Sequence, residues 1–425
     1  MARILVRSAQ DPRKIYRPVQ STRRMGGNSG NLLYANAVVR SLSTSGTRVV
    51  AGGFDAHNLD DPTEWLERAN KRFDRYVIPM SNAFRTTFTE GLARMTRIVQ
   101  GLDMPVTVVG VGAQTSTDAV ESDTIRMGRT GGGEQLSPAA LEKHDRIVRG
   151  FVDAVLDKSE TMGVRGEVTK RYLVSLGVDE SRIDVIGCPS LYTWGPDLRV
   201  PTDLPGLSER SRISMNVDYR VAGVGPVVER NAEAYPRLTS PSQDARSARM
   251  IITGEDGPSL WGRDLRAPIH TDHVLYKTRR LVYYPNPWGW IEDLSRYDFV
   301  FGTRLHGNIA GILGRTPAHL LAHDSRTLEL ADYHGIPYTL LSDLEEPPLA
   351  EELYARTDYT RFNELMPQRF ATYLEFLHRN GLATVFDEGA EGAETFDAAI
   401  APGRRVRPIR PTITTFDKVK RRFGL

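Results

Sequence analysis

Short runs rich in Val and Ile, each followed by a helical pattern, recur along most of this chain, and that rhythm constrains its fold more than any other feature. In the first half the apolar runs fall at residues 4–6, 48–51, 76–79, 106–111, 162–165 and 183–186. They have the length and composition of buried parallel strands. Helical patterns occupy residues 31–42, 63–73, 87–101, 138–158 and 167–176. In the fourth, Val148, Phe151, Val152 and Val155 share one helix face. Alternation of strand and helix predicts a parallel sheet with helices on both sides. A Pro- and Gly-rich stretch, residues 194–206, interrupts the rhythm and reads as a linker. The rhythm resumes with strands at 212–217, 281–284, 299–302 and 318–322 and helices at 288–294, 306–313 and 326–334. The sequence thus predicts an α/β chain of two Rossmann-like doubly wound domains facing a cleft, residues 1–195 and 206–345. Closing helices follow at 346–382, within which 349–356 and 359–380 are periodic, and then a basic tail, 383–425, expected to be partly disordered. Residues 220–277 mix Gly, Pro and charge without a period and read as a long loop covering a site.

In doubly wound sheets ligands bind beyond the carboxyl ends of the strands. The residues that follow each strand are therefore the ones to inspect. The strongest constellation is Phe299-Val300-Phe301-Gly302-Thr303-Arg304-Leu305-His306-Gly307-Asn308, an apolar strand turning into a helix. Unpaired N–H groups at a helix start attract phosphate or carboxylate. Arg304 adds a permanently charged planar fork, and His306 can give or take a proton near neutral pH. Spacing alone reads equally as a helix-capping histidine beside a surface arginine. Arg165, in Met162-Gly163-Val164-Arg165-Gly166-Glu167, also precedes a helix; it reads either as a second anion clamp or as an ion-pair partner of Glu167 or of another carboxylate at the domain edge. Gly26-Gly27-Asn28-Ser29-Gly30-Asn31 opens the first helix, as a ligand-approaching loop or as a flexible turn with an N-cap. Val109-Gly110-Val111-Gly112-Ala113-Gln114 begins like a dinucleotide fingerprint but lacks its third glycine. Gly131-Gly132-Gly133 follows no apolar strand and reads as loop. After the strand at 318–322 come His323, Asp324, Ser325, Arg326 and Glu329; Ser325 reads as a helix cap, and Asp324 reads as a partner of Arg326 or as a cleft residue. Trp288 and Trp290 suit either a sugar platform or the core.

Composition narrows the class. Apolar residues make up 40% and charged residues 25% of 425, as in ordinary globular proteins, and the net charge of +2 carries no nucleic-acid footprint. The basic residues are concentrated, however, in residues 403–425, where Asp417 is the single acid. Such a tail reads as a solvated terminus or as a contact for acidic headgroups at the inner face of a membrane. Cys188 is the one cysteine, so no disulfide forms within the chain. Charge arrives too early at the N-terminus for a signal peptide, and no run approaches the roughly 18 apolar residues of a span. A cytoplasmic location is expected. No Cys/His cluster has metal-ligand spacing, and no Gly-x-Ser-x-Gly elbow is present.

Four segments, taken in order, resemble the polysaccharide pyruvyl transferase family: GGNSGN, VTVVGVGAQ, GVRGEVTKRYLVSLGV with IDVIGCPSL, and DFVFGTRLHGNIAGILGRTPAHLLAHDSRTLEL. The last, with its Arg-x-His-Gly turn, is the most specific. Family members usually carry Asp where this chain has Asn31. The resemblance implies a two-domain architecture similar to GT-B, with phosphoenolpyruvate as donor and no cofactor or metal. It implies that Arg165 and Arg304 hold the donor's carboxylate and phosphate and that His306 is the general acid. Substrate contacts are expected at Asn28, Gly30, Gly112, Gln114, Leu305, Gly307 and Asp324, the last also a candidate base. The implied acceptor is a saccharide, free or lipid-linked, that gains a cyclic pyruvate ketal. The same architecture also hosts nucleotide-sugar glycosyltransferases and non-catalytic saccharide binders, and these stand as the alternatives.

Overall fold

The computed structural model describes residues 1–114, 137–256, 264–389 and 391–412. The triple glycine at 131–133 and the last cluster of the basic tail lie outside the described residues. Strands β1 (Ala2–Ser8), β2 (Thr47–Gly53), β3 (Arg75–Pro79) and β4 (Val106–Val109) pair in the order β2-β1-β3-β4. A bridge from Val111 to Val164 extends this sheet to the parallel pair β5 (Met162–Val164) and β6 (Ile183–Val185). The second half has β7 (Ile213–Met215), β8 (Ser240–Ser242), β9 (Leu281–Tyr283), β10 (Phe299–Gly302), β11 (Ala318–Ala322) and β12 (Tyr338–Leu340). Its order is β12-β11-β10-β7, and a bridge from Ser214 to Thr239 brings β8 and β9 alongside. Every pairing between these strands is parallel. The chain is an α/β protein of two doubly wound parallel sheets.

Strand order fixes where ligands can sit. In the first sheet the winding direction reverses between β1 and β3, and in the second between β7 and β10. A crevice opens beyond the carboxyl ends of strands at such a reversal. Arg7 and Ser8 end β1; Asn216 and Arg304 follow β7 and β10.

The two halves share a core. The helix Gly30–Leu42 is buried at every residue except Asn31. An all-round buried helix must be covered on all sides. Its Val38 and Leu42 join one apolar cluster with Ile309 and Leu313 of the helix Leu305–Leu313 and with Tyr373 of the closing helix Thr360–Arg379. Trp288 and Trp290 are 2% and 1% exposed, and the Trp288 indole N–H donates to the Pro12 carbonyl at 3.0 Å. They belong to the core, not to a sugar platform.

One expectation needs correction. Residues 220–277 are not one long loop: they include the helices Val224–Ala234 and Ala245–Thr253 and the strand β8. β8 reads Ser-Pro-Ser and has no Val or Ile, so its burial follows from small side chains that apolar pattern cannot reveal. Of the tail expected to be partly disordered, residues 391–412 are structured. The helix Glu394–Arg404 packs on the helix Pro287–Leu294, its Asp397 forms a two-point ion pair with the buried Arg40 at 2.7 and 2.8 Å, and Ile409 pairs antiparallel with Tyr283. The apolar face of Phe396 and Ile400, both buried, holds it there. Among the described residues no helix is long and apolar enough to cross a membrane.

Candidate active site

β10 ends at Gly302, whose φ of 140° turns the chain sharply over β7. Arg304 then takes the N-cap position of the helix Leu305–Leu313, without a side-chain cap of its own. Its guanidinium is 7% exposed. Nε donates to the Val217 carbonyl at 3.1 Å, and one Nη stands 3.6 Å from Asp218 without completing a hydrogen bond. Burial disfavours charge on Asp218, but the guanidiniums of Arg304 and Arg220 outweigh it and hold that carboxyl well below its ordinary range.

His306 lies one step into the helix. Its Cβ is packed so closely on Gly30 that a Cβ there would come within 2.5 Å of it. The ring is tilted 5.6 Å from Tyr34, and Nε2 is 3.7 Å from the Cys188 thiol. Burial, then the cations of Arg165 and Arg326, lower the His306 pKa to about 3. The imidazole is neutral at physiological pH. Gly307 lies flat against Asn216, and Leu305 is buried at 5% exposure.

Arg165 approaches from the first half and is 1% exposed. Among the described residues its hydrogen bonds go to one carbonyl, Gly110 O, at 3.2 Å from Nη2 and 3.4 Å from Nε. Gly112 carries its aliphatic stem, and a Cβ at that position would overlap it. Among the described residues Glu167 makes no ion pair with Arg165, and the acid acting on it is another carboxylate, Glu329. That carboxylate accepts from the Thr169 hydroxyl at 2.9 Å and backbone N–H at 3.1 Å, and burial still raises its pKa to about 7.

Asp324 caps the helix Ser325–His334, accepting from the Thr327 N–H at 2.9 Å. Its other oxygen accepts from Gln114 Nε2 at 3.0 Å, and Gln114 Oε1 accepts from Asn82 at 2.5 Å. This polar chain crosses from one half to the other. The same Asp324 oxygen holds Arg326 at 3.2 Å, while Arg326 Nε is buried without a partner. Burial opposes ionisation of Asp324, yet Arg326, His323 and the Thr327 bonds hold its carboxyl below the usual range.

The predicted residues therefore divide. His306, Arg165, Gly30 and Gly112 converge; Gln114 and Asp324 form their rim; Arg304 is held on the Asp218 side. Asn28 contributes indirectly, accepting from Gly30 N–H at 2.8 Å and so fixing the glycine against His306. Sequence reasoning missed Arg326 as a site residue and missed Arg7, Tyr34 and Arg85. Arg7 obeys the strand-end rule already applied to Arg304, so that signal was present. Among the described residues no group of acids, histidines and cysteine has the arrangement of a metal site.

Neutral buried histidines also set an acid limit on stability. His319 and His334 are 1% and 2% exposed, and burial lowers their pKa values to about 4 and about 3. An unfolded histidine titrates near 6.5 and binds the proton that the folded one refuses. Their contribution is complete above that pH and falls below it by up to about 1.4 kcal/mol per pH unit each. Glu329 acts in reverse between its ordinary value of 4.5 and about 7, because its folded form is the better proton binder. The urea midpoint is expected to drop between pH 6.5 and pH 4.5, and more steeply in Glu329→Gln. A flat profile would show these histidines to be protonated when folded.

The sequence model of the polysaccharide pyruvyl transferase family matches residues 28–325. No curated protein matches the chain. Among solved structures, UDP-GlcNAc 2-epimerase of Methanocaldococcus jannaschii in complex with UDP-GlcNAc and UDP aligns at 9% identity with a TM-score of 0.45, over 89% of this chain and 99% of that one. MnaA of S. aureus with UDP aligns at 10% identity and 0.42, over 89% and 96%. UDP-GlcNAc 2-epimerase of Neisseria meningitidis bound to UDP-GlcNAc aligns at 12% identity and 0.38, over 95% and 100%.

Proposed function

Because the chain belongs to the polysaccharide pyruvyl transferase family, we propose that it moves the enolpyruvyl group of phosphoenolpyruvate onto two hydroxyls of a saccharide, forming a pyruvate ketal and releasing phosphate. The observation that carries this reading is that Arg165 and Arg326 act on His306 from two elements while Arg304 stands two residues before it. Arg165 and Arg304 are buried and Arg326 is partly so; Arg165 has no carboxylate hydrogen-bond partner among the described residues, and beside their contacts with Asp218 and Asp324, Arg304 and Arg326 each keep a buried nitrogen without a hydrogen bond. Buried guanidiniums of this kind suit an anion with several oxygens. Phosphoenolpyruvate, with a phosphate and a carboxylate on one small skeleton, fits that demand without a cofactor.

The electrostatics also suit the chemistry. Burial first, and then the cations of Arg165 and Arg326, keep His306 neutral. The anionic donor offsets them, raises the imidazole pKa, and lets His306 hold the proton it must deliver. That proton goes to the methylene carbon of the donor, which becomes methyl. The adjacent carbon accepts the oxygen of one sugar hydroxyl, the bond to the phosphate oxygen breaks, and the second hydroxyl closes the ketal. One hydroxyl proton restores His306 and the other leaves with phosphate. Arg165 and Arg304 stabilise the departing charge. Asp324, ionised and fully occupied, suits the positioning of Arg326 better than the role of base.

Purified protein incubated with phosphoenolpyruvate and a saccharide panel is expected to release phosphate only with a competent acceptor, which gains the mass of a ketal. Release that ignores the acceptor, or none with any saccharide, would overturn the reading.

A further inference from the structure

The donor site leaves one buried cation unused. Arg7 closes β1, is 6% exposed, and lays its guanidinium 4.2 Å from the centre of the Phe54 ring. Its Nε has no hydrogen-bond partner, and no carboxylate of the described residues pairs with it. Withdrawing a guanidinium from water without a counter-charge is costly, and an oxyanion beside it would offset that cost. Arg85, from the loop after β3, stands across the same space. It donates to the Asn82 carbonyl at 2.7 Å and to the Thr87 hydroxyl at 3.1 Å, and stacks over Phe88 at 5.1 Å. It too lacks an acidic partner among the described residues.

Between the two lies a cleft of 230 Å³, walled also by Tyr34, Phe54 and Phe88. It sits at the winding reversal of the first sheet, where ligands of doubly wound folds bind. Tyr34 is the shared wall: its ring faces this cleft and also lies 5.6 Å from His306. His57, Asn58 and Phe88 belong as well to an adjoining cleft of 370 Å³, so the groove continues outward. A molecule lying there would be longer than the donor and would reach Tyr34, the residue whose ring neighbours His306.

We infer that this groove is the acceptor subsite and that the acceptor is an acidic saccharide, with a carboxylate or phosphate between Arg7 and Arg85. The inference rests on the transferase reading for its word acceptor, but the anion site stands on geometry alone. Paired guanidiniums bind an oxyanion, and the aromatic walls suit the carbon face of a sugar ring.

Calorimetric titration without phosphoenolpyruvate tests it, using a glucuronate-terminated disaccharide, its glucose-terminated counterpart and a sugar 1-phosphate. Wild type is expected to bind an acidic probe at least about tenfold tighter than the neutral one, as one lost charge-assisted contact implies. Preference for the uronate or for the phosphate identifies which anion the site takes. Arg85→Gln is expected to abolish the preference while thermal stabilisation by phosphoenolpyruvate persists. Arg7→Lys, chosen because Arg7→Ala removes a buried side chain, is expected to weaken it. Equal affinity for acidic and neutral probes, no binding of either acidic probe, or a preference that survives in Arg85→Gln overturns the inference. A sugar 1-phosphate lost only in Arg304→Ala also counts against it, since it would then occupy the donor site. Failure of phosphoenolpyruvate to bind would instead overturn the transferase reading.

Discussion

His306→Ala is expected to lower kcat by about 10²–10⁴-fold, the range a positioned acid contributes, while the protein stays folded. Alanine keeps the Cβ that Gly30 packs against, and it removes a ring that lies between Tyr34 and the Cys188 thiol without an ionic partner. The affinity for phosphoenolpyruvate is expected to change little, because the arginines supply the binding charge. The pH profile provides the sharper readout. If His306 acts as acid only when the donor is bound, kcat falls on the alkaline side with an apparent pKa well above the value of about 3 that burial and the two cations impose. Arg326→Gln removes one of the two cations that depress this histidine, so it should move that limb to higher pH. Residual activity within tenfold of wild type, or an alkaline limb that ignores Arg326→Gln, removes His306 from the role.

Residue pattern alone foretold much of the scaffold and only part of the site. Buried parallel strands such as β4 and β10 stand out because both faces are apolar, so the run is continuous. β8, built from Ser and Pro, hides because small polar residues can be buried without an apolar signature. The helix Glu394–Arg404 hides for another reason: its short sequence holds Gly403 and Pro402, and its anchor, Arg40, lies at the other end of the chain. Arg304 and His306 are readable because one strand-to-helix turn brings them together locally. Arg326 is not, since its approach to His306 depends on how β11 and β10 pair and on the Asp324 cap. The groove at Arg7 needs a contact between β1, the loop after β3 and the helix Gly30–Leu42, which no local window contains.

Gly302→Ala is expected to be the most damaging single-methyl change in the site. Its φ of 140° is a conformation that L side chains rarely adopt. A Cβ there would overlap the Asn216 carbonyl group. Backbone is the obstacle, so no side chain can swing aside. That same Asn216 carries the junction of β7 and β10: its N–H donates to Phe301 O at 2.8 Å and its carbonyl accepts from Arg304 N–H at 3.3 Å. Relief of the clash must therefore part the two central strands or displace the helix start that presents Arg304 and His306. Backbone strain of about 1–3 kcal/mol and overpacking of about 1–3 kcal/mol together reach a large fraction of a typical stability of about 5–15 kcal/mol. Gly150→Ala is the matched control. It lies within the helix Pro138–Leu156 with nothing near its open side, so the same methyl should stabilise by roughly 0.5–1 kcal/mol. Denaturant midpoints of the two variants are expected to move in opposite directions, and phosphoenolpyruvate should fail to stabilise Gly302→Ala. Equal midpoints would mean that the turn after β10 can relax without moving Asn216, and the claim that one glycine sets the geometry of the anion site would fall.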